Sequence, residues 1–345
     1  FEENEELGRE VICTGVIGTQ AFQEFPLSRE AIICEVKSIT FFSPSFLALR
    51  YTFSQPIAYV VNRSILDKKI AKLAREKGAE IQLGQQVKRI RIRQDKVEVE
   101  MDGAAKKEAK VAVLATGVNY SLHSQVGLDT LPCFVQGAQT EAEIENLKET
   151  EIYLGNFIAP GSFAWIVPLN KSRARIGNLT KGKGIIYLRR FLKKLDGRLK
   201  EKQTQIRCKP VAYGAAKKCI AHRILSVGEA AGQVKTTTGG GIFYGLIGSR
   251  IAAQVLIKAF NRGDLTEAGL AEYDKIWRDK LKREIDIGCR VRQILEKMSD
   301  KNIDRIFKWL QKSGSLRGLI QKEVDFDFQS KAISLGTKLL GKFIR

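Results

Sequence analysis

Residues 224–251, ILSVGEAAGQVKTTTGGGIFYGLIGSRI, contain the residue types that a nucleotide-binding turn needs. A short apolar run ends at Gly228 and Glu229, and three consecutive glycines at 239–241 precede an apolar helical stretch. Glycine lets the backbone approach a ligand closely, and a helix N-terminus presents free N–H groups and a positive dipole end. Glu229 could accept hydrogen bonds from a ribose or ribityl hydroxyl. The alternative is that the three glycines only form a tight turn.

Composition limits the class of protein. The 345 residues exceed the size at which a single core usually stops growing, so two domains are expected. With 44% hydrophobic residues, the chain is neither disordered nor fibrous, and it has no apolar run near the ~20 residues that span a bilayer. Six scattered cysteines and two histidines lack metal-ligand spacing, so the sequence predicts no metal site and reduced, mostly buried thiols in a cytoplasmic protein.

The elements around the glycine-rich segment alternate between strand and helix. Hydrophobic periodicity and turn residues predict a strand at 57–61, a helix from Ser64 to Gly78 with Ser64 and Asp67 as a capping box, strands at 79–83 and 111–114, and a hairpin of 87–92 with 97–101. This order is typical of an α/β nucleotide-binding domain. Residues 131–212 contain short β-like pieces and an amphipathic helix at 185–195, and helical patterns follow residue 266.

Five segments, in this order, resemble the geranylgeranyl reductase family of FAD-dependent oxidoreductases. Their sequences are FEENEELGREVICTGVIG at 1–18, YVVNRSILD at 59–67, LATGVN at 114–119, PGSFAWIVP at 160–168 and GEAAG with TGGGI within 228–242. They are similar to the family's second Rossmann strand with its CxG loop, its Arg-containing strand-to-helix join, its ATG strand end, its PxxYxWxFP motif and its GDAAG…TGGGI signature. Phe163, Val167 and Glu229 depart from those patterns.

The resemblance implies an α/β fold with a Rossmann-like FAD-binding domain, an inserted antiparallel β-sheet substrate domain and a helical C-terminal tail. The FAD-binding domain would comprise 1–30, 57–128 and 220–262, the substrate domain 31–56 and 129–219, and the helical region 263–345. The family has a GxGxxG motif before the position of Glu2, and this chain contains none. We therefore expect the FAD-binding domain to be incomplete through an N-terminal truncation, the alternative being a real loss of FAD binding.

The resemblance also implies roles for individual residues. The adenosine ribose would contact Glu2, the adenine would meet the backbone of Val87, and Arg63 would lie near the flavin or its pyrophosphate. The remaining FAD contacts would come from Thr116, Gly117, Gly228, Glu229, Gly239, Gly240, Gly241 and Ile242.

Three further residues are implied on the substrate side. Cys13 would lie near the isoalloxazine or the substrate double bond, where a thiol donates a proton or shapes the pocket; the alternative is a small buried hydrophobic residue. Phe163 and Trp165 would line a tunnel for a prenyl chain, the alternative being plain sheet core.

The implied reaction is reduction of the C=C bonds of a geranylgeranyl or related isoprenoid chain by hydride transfer from reduced FAD, with NAD(P)H or a ferredoxin as external reductant. Two alternatives stay open. One is a flavin-dependent monooxygenase or halogenase-like enzyme on the same scaffold. The other is a non-enzymatic, basic, surface-binding protein in which the Rossmann remnant is only a scaffold.

The net charge of +20 is concentrated between Lys171 and Arg223, a segment that contains 17 Lys and Arg residues and two acidic residues. Within it, IIYLRRFLKKL at 185–195 predicts a helix with one apolar and one cationic face. Such a helix suits an anionic membrane surface, an acidic ferredoxin, or a core-packed helix with a solvated charged face. Nucleic acid is disfavoured because few aromatic residues interleave the basic run. The expected location is cytoplasmic, with peripheral membrane contact as an option.

Overall fold

The computed structural model describes residues 1–9, 11–131, 133–200, 205–314, 318, 321, 325–331 and 333. It divides into two compact units. The first compact unit is Phe1–Val11, Ser64–Cys133 and Ala212–Asp286, and the second is Ile12–Arg63, Phe134–Val211 and Ile287–Arg345. These boundaries differ from the predicted functional domains, whose assignment stays a prediction.

Sixteen strands and six helices are formed by the described residues. The strands are β1 (Val16–Gly18), β2 (Ile32–Val36), β3 (Ser38–Phe42), β4 (Ala48–Thr52), β5 (Ala58–Val61), β6 (Val87–Ile92), β7 (Val97–Met101), β8 (Lys106–Ala109), β9 (Ala112–Leu114), β10 (Cys133–Glu143), β11 (Thr150–Leu154), β12 (Phe163–Pro168), β13 (Arg173–Thr180), β14 (Arg207–Tyr213), β15 (Ile220–Ala221) and β16 (Ile224–Ser226). The helices are α1 (Thr19–Glu24), α2 (Arg63–Glu76), α3 (Gly184–Lys194), α4 (Ile242–Arg262), α5 (Glu267–Lys297) and α6 (Asp300–Lys312).

The first compact unit contains two three-stranded sheets, ordered β15-β16-β9 and β6-β7-β8. The strands β9 and β16 are parallel, with Leu114 opposite Ser226. Apolar side chains of both sheets, including Val97, Met101 and Ile224, share one core. Parallel strands place their carboxyl ends at the same edge, and this edge carries the predicted site residues.

The second compact unit is built on a seven-stranded sheet, ordered β14-β10-β13-β12-β11-β3-β4. The expected antiparallel sheet is therefore present with one difference, because β11 and β3 run parallel. One sheet face carries the core that α3 covers through Leu188, Phe191 and Leu195. At the β3–β4 end, Leu49 and Tyr51 pack with Ile303 and Phe307 of α6. The shorter sheet β1-β5-β2 completes the unit.

Several predicted elements are confirmed, among them the hairpin β6–β7, the buried strand β16, and the helices α3 and α4. The predicted strand at 111–114 forms β9, parallel to β16, but it is not buried as predicted, because Val113 is 44% exposed. The predicted strand at 79–83 is wrong: these residues are irregular, and the Gln82 carbonyl accepts a hydrogen bond from the Glu2 amide at 2.9 Å without forming a strand ladder. The capping box is also misplaced, since α2 begins at Arg63 and Ser64 already lies in its first turn. The predicted helical C-terminal region is confirmed by α5 and α6; its residues from 334 onward lie outside the described part.

The helix α4 alone, among the described residues, is long and apolar enough to cross a membrane by length and composition. Its side chains Phe243, Tyr244, Ile247 and Ile251 are buried within the protein. This burial is the pattern of a core helix.

The prediction of mostly buried cysteines is only partly right: Cys219 is buried, Cys208 is exposed and the other four are half-buried.

Candidate functional site

The carboxyl edge of β9 and β16 brings four predicted cofactor residues together. Thr116 and Gly117 follow β9, and Gly228 and Glu229 follow β16. The Val227 amide donates to the Leu114 carbonyl at 3.0 Å, which carries the pairing one residue past the ladder. The two loops therefore leave the sheet side by side, where open α/β sheets bind ligands.

Gly117 and Glu229 lie against each other in this edge. Gly117 has φ +59°, and a Cβ built on it would lie 3.6 Å from Oε2 of Glu229. The other carboxylate oxygen, Oε1, accepts from the Ala212 amide at 3.3 Å. The backbone at 117 thus leaves room beside a carboxylate that its neighbours hold in place. Burial, and then the charge of Glu229, raise the pKa of nearby Tyr120 well above its usual value.

A buried chain of hydrogen bonds holds the turn at Gly228, which has φ +66°. The Gly228 amide donates to Oε1 of Gln233 at 2.8 Å, and Nε2 of Gln233 donates to the Tyr273 hydroxyl at 2.7 Å. That hydroxyl donates to the Ser226 carbonyl at 2.6 Å. Gln233 and Tyr273 were not predicted from the sequence, and both are completely buried.

The glycine-rich loop before α4 closes on itself. The Lys235 amide donates to the Gly240 carbonyl at 3.0 Å, and the Gly239 amide donates to the Lys235 carbonyl at 2.8 Å. Gly241 is the N-cap of α4, and Ile242 is its first residue. A Cβ on Gly248 would overlap the Gln233 side chain, so α4 packs directly against the residue that holds Gly228. The loop and the turn after β16 are therefore one packed assembly.

The residues at this edge fit a bound dinucleotide. Among the described residues, the buried hydroxyl of Thr116 has no hydrogen-bond partner. A buried polar group is normally paired, so this one is suited to a ligand. A Cβ on Gly228 would meet open space, and the N-terminus of α4 is the positive end of a helix dipole, which favours an anionic group. A hydroxyl, a carboxylate and open glycine backbone are the donors and acceptors that a ribose and a pyrophosphate need.

Glu2 and Val87 form a second group in the same unit. The Gln85 amide donates to the Glu2 carbonyl at 2.9 Å, two residues before Val87 begins β6. The Glu2 carboxylate accepts from the Asn4 amide at 3.0 Å. The structure thus pairs the backbone of Glu2 with the segment that leads into Val87.

In the second compact unit, the loop Cys13-Thr14-Gly15 is fastened to the large sheet. The Thr14 hydroxyl donates to Gln139 at 2.9 Å, and Gln139 Nε2 donates to the Cys13 carbonyl at 3.4 Å. Nη1 of Arg175 donates to the carbonyls of Thr14 and Val61, at 2.9 and 3.0 Å. Gly15, at φ +73°, has no space for a side chain beside that guanidinium. Gln139 and Arg175 lie more than a hundred residues from the loop in sequence, and no local signal indicated them.

Trp165 lies on the same sheet face as Gln139. The registers pair Gln139 with Gly177 and Gly177 with Trp165, so the three form one row across β10, β13 and β12. A Cβ on Gly177 would overlap the indole, which therefore lies flat on the strand. Phe163, two residues earlier on β12, points to the same face, and its ring lies 5.7 Å from the indole. The structure thus brings Cys13, Phe163 and Trp165 to one face, opposite the face that α3 covers.

Trp165 is 8% exposed, and its buried Nε1 has no hydrogen-bond partner among the described residues.

Arg63, the predicted flavin contact, follows β5 at the start of α2. The Val61 amide, two residues earlier, donates to the Gly15 carbonyl at 2.8 Å. Arg63 is thus tied through β5 to the Cys13 loop.

Comparisons with known proteins agree with this arrangement. The digeranylgeranylglycerophospholipid reductase of Methanocaldococcus jannaschii is 32% identical over 336 residues, covering 91% of this chain and 84% of that protein. The reductase of the same name from Methanocella arvoryzae is 27% identical over 327 residues, covering 88% of this chain and 82% of that protein. No protein-family model matches the chain.

Solved structures show the same fold. A geranylgeranyl bacteriochlorophyll reductase-like protein from Thermoplasma acidophilum superposes with a TM-score of 0.83 at 20% identity, over 97% of this chain and 88% of that one. A flavin-dependent halogenase superposes with a TM-score of 0.68 at 14% identity, over 99% of this chain and 72% of that one. The predicted resemblance and the mixed α/β fold are confirmed, and the chain belongs to the geranylgeranyl reductase family of FAD-dependent oxidoreductases.

Proposed function

We propose that this protein binds FAD and reduces C=C bonds in the isoprenoid chains of a membrane lipid, a substrate of the digeranylgeranylglycerophospholipid class. The observation that carries the proposal is the edge of β9 and β16, where the backbone of Gly117 leaves space beside the held carboxylate of Glu229. The names of the two digeranylgeranylglycerophospholipid reductases to which the chain is similar support the lipid substrate. NAD(P)H or a ferredoxin would be the external reductant.

The first compact unit would hold the cofactor. Glu229 would accept hydrogen bonds from ribityl or ribose hydroxyls, and Thr116 would pair its buried hydroxyl with the same ligand. Gly228 and the loop Gly239–Gly240–Gly241–Ile242 would let the ligand approach the backbone, with Glu2 and Val87 at the adenosine. Reduced FAD, when bound, supplies the hydride for an unactivated double bond.

The second compact unit would hold the lipid chain. Phe163 and Trp165 offer apolar ring surface on the sheet face that also carries the Cys13 loop. The half-buried Cys13 thiol would donate the proton that balances hydride addition, so that each reduced bond gains two hydrogen atoms. Gln139 and Arg175 would position that thiol through their hydrogen bonds to the loop backbone.

The test is a flavin titration followed by a reduction assay. The protein is purified with any residues encoded upstream of Phe1, beside the 345-residue chain, and each is titrated with FAD. Digeranylgeranylglycerophospholipid is then incubated with the flavin-loaded protein in detergent, with dithionite as a donor that bypasses the natural reductant. Mass spectrometry should show a gain of two hydrogens per double bond.

Three results would contradict the proposal. A protein that binds no flavin at saturating FAD would leave only a scaffold role. With NADH and oxygen, a product that gains an oxygen atom would favour the monooxygenase alternative. A halogenated product in the presence of chloride or bromide would favour the halogenase alternative.

A further inference from the structure

The helix α3 shows a strongly cationic surface. Its apolar residues Leu188, Phe191 and Leu195 are packed in the sheet core, so they are not available to a partner. The opposite side carries Arg189, Arg190, Lys193 and Lys194, all exposed, and the helix contains no acidic residue. The apolar face of this helix is therefore used in the core, and any partner of the helix would meet its cationic face.

Apolar surface is nevertheless present beside these cations. Phe46 and Phe157, from two different loops, are 52% and 50% exposed. The Lys194 ammonium lies 5.0 Å from the Phe46 ring centre and 5.4 Å from that of Phe157, and the Arg190 guanidinium lies 5.3 Å from Phe157. Ile186, one turn before Arg190, is 42% exposed. We call Phe46, Phe157, Ile186, Arg190 and Lys194 the aromatic–cation patch.

The loop that carries Phe46 is held in a strained conformation. Phe46 has φ +60°, a backbone conformation that bulky side chains rarely adopt. Asp304 of α6 holds the turn, accepting from the hydroxyls of Ser43 at 2.5 Å and Ser45 at 2.6 Å. The hydrogen bonds to Asp304 therefore hold the loop in a conformation that leaves the Phe46 ring exposed to solvent.

The loop of Phe157 is fastened to the same end of α6. The amide and the side chain of Asn156 donate to Asp300 at 2.8 and 2.9 Å, and its side chain also donates to the Met298 carbonyl. Two separate loops are thus fixed by the first residues of one helix. Their two exposed rings are preorganised next to one cationic helix face.

We propose that the aromatic–cation patch docks the protein on an anionic lipid bilayer. Aromatic rings and aliphatic side chains enter the headgroup boundary, while nearby Lys and Arg attract acidic lipids. The choice of a bilayer rests on the proposed function, whose substrate is a membrane lipid. An acidic protein such as a ferredoxin would use the same cations, but it gives no reason for exposed phenylalanines at the same place.

The experiment is vesicle co-sedimentation with the flavin-loaded full protein. Vesicles are made of phosphatidylcholine alone or mixed with phosphatidylglycerol. Two double variants test the two components: Phe46→Asn with Phe157→Ser, and Arg190→Gln with Lys194→Gln. Asparagine tolerates the left-handed backbone at 46, so that variant keeps the turn. The matched control is Lys106→Gln with Lys107→Gln, an equal charge change at exposed residues of β8.

We expect binding only to the anionic vesicles, weakened by added salt. Two cations at about 1 kcal/mol each predict a loss of about 30-fold for the Arg190 and Lys194 variant. The aromatic variant should lose at least about 10-fold, from the apolar area withdrawn from the headgroup boundary. The control should bind as the unchanged protein does. FAD affinity and reduction of detergent-solubilised substrate should be unchanged in all variants, and no variant should unfold at a lower urea concentration than the unchanged protein.

Three outcomes would overturn the docking proposal: no binding of the unchanged protein to anionic vesicles, equal losses in patch and control variants, or unchanged vesicle binding with loss of an acidic ferredoxin's binding in the patch variants. The detergent assay keeps this test separate from the proposed function. Failed docking with intact reduction rejects only the patch, whereas absent reduction with intact docking rejects only the activity.

Discussion

The side chain of Gln233 fixes the backbone of Gly228 by a hydrogen bond. Its side-chain oxygen accepts from the Gly228 amide at 2.8 Å, and its side-chain nitrogen donates to the hydroxyl of Tyr273 on α5. Because Tyr273 also donates to Ser226, both ends of the turn after β16 are fixed by one pair of buried side chains. The position of Glu229, the next residue, depends on this pair.

Removing the Tyr273 hydroxyl should therefore loosen the turn. Tyr273→Phe leaves the Gln233 amide and the Ser226 carbonyl without their buried partner, which should lower the free energy of unfolding by about 1–3 kcal/mol. FAD affinity should fall as well, because Gly228 and Glu229 lose their support. Urea unfolding and FAD titration measure the two effects. Tyr187→Phe, which removes a hydroxyl from the half-buried Tyr187 of α3, is the control; equal FAD affinity in both variants would contradict the role of the pair.

A methyl group on Gly117 should impair cofactor binding beyond its effect on stability. Gly117→Ala pays about 1–2 kcal/mol for φ +59° and also fills the space beside Oε2 of Glu229. Gly127→Ala is a matched control, because Gly127 has φ +69° and nothing within 4 Å of the added carbon. Both variants should lose similar stability in urea, but only Gly117→Ala should bind FAD more weakly. Similar FAD affinities would remove Gly117 from the site.

Local pattern was enough to predict much of the first compact unit. The glycines and the acid after β16 indicate the turn, because close backbone approach requires those residue types.

The strand β10 of the seven-stranded sheet is not predicted by its own sequence. Its 11 residues, CFVQGAQTEAE, are rich in Ala, Gly, Gln and Glu, which have weak β-propensity. Its position between β13 and β14 is decided by tertiary pairing.

The supporting residues could not be predicted for a different reason. Gln139 contacts Thr14 from 125 residues away, and Arg175 contacts the same loop from 161 residues away. Their roles exist only once the sheet has formed, and Gln or Arg on a strand carries no distinctive spacing. The same holds for Phe46 and Phe157, which sequence analysis did not connect with the basic helix.

The thiol of Cys219 should make stability fall in alkali. Burial, then its hydrogen bond with the Asp274 carboxylate, raise the pKa of Cys219 to about 12. Because the unfolded thiol ionises near 8.5, the folded state binds more protons between about pH 8.5 and 12, and stability falls as pH rises through that range. Cys219→Ser cannot ionise there, so its unfolding free energy should fall less steeply, by up to about 1.4 kcal/mol per pH unit. Urea unfolding at several pH values measures both slopes, and parallel slopes would show that Cys219 does not contribute.

The thiol of Cys13 should matter for turnover and not for folding. Cys13→Ala removes the proposed proton donor, while Gln139 and Arg175 still hold the loop backbone. We expect a loss of about 100-fold or more in double-bond reduction, the usual size of a general-acid contribution, with FAD affinity unchanged. Single-turnover oxidation of reduced flavin by the lipid substrate measures this step. The control is Cys34→Ala, which removes a half-buried thiol that donates a hydrogen bond to the Pro168 carbonyl. If the Cys13→Ala protein reacts within a factor of two of the unchanged protein, Cys13 is a packing residue.

The variant Thr116→Val tests whether the Thr116 hydroxyl contacts the cofactor or stabilises the fold. The buried Thr116 hydroxyl has no hydrogen-bond partner among the described residues, so replacing it with a methyl group of similar shape should leave the flavin-free protein as stable or slightly more stable. If the hydroxyl pairs with FAD, the same change should weaken FAD binding by about 5- to 10-fold, the value of one hydrogen bond. Thr180→Val is the opposite case, because the Thr180 hydroxyl donates to the Pro160 carbonyl at 3.3 Å. That variant should lose stability and keep its FAD affinity. Unfolding in urea without flavin and FAD titration give the two readouts, and a Thr116→Val protein that loses stability but binds FAD normally would assign the hydroxyl to the fold instead of the cofactor.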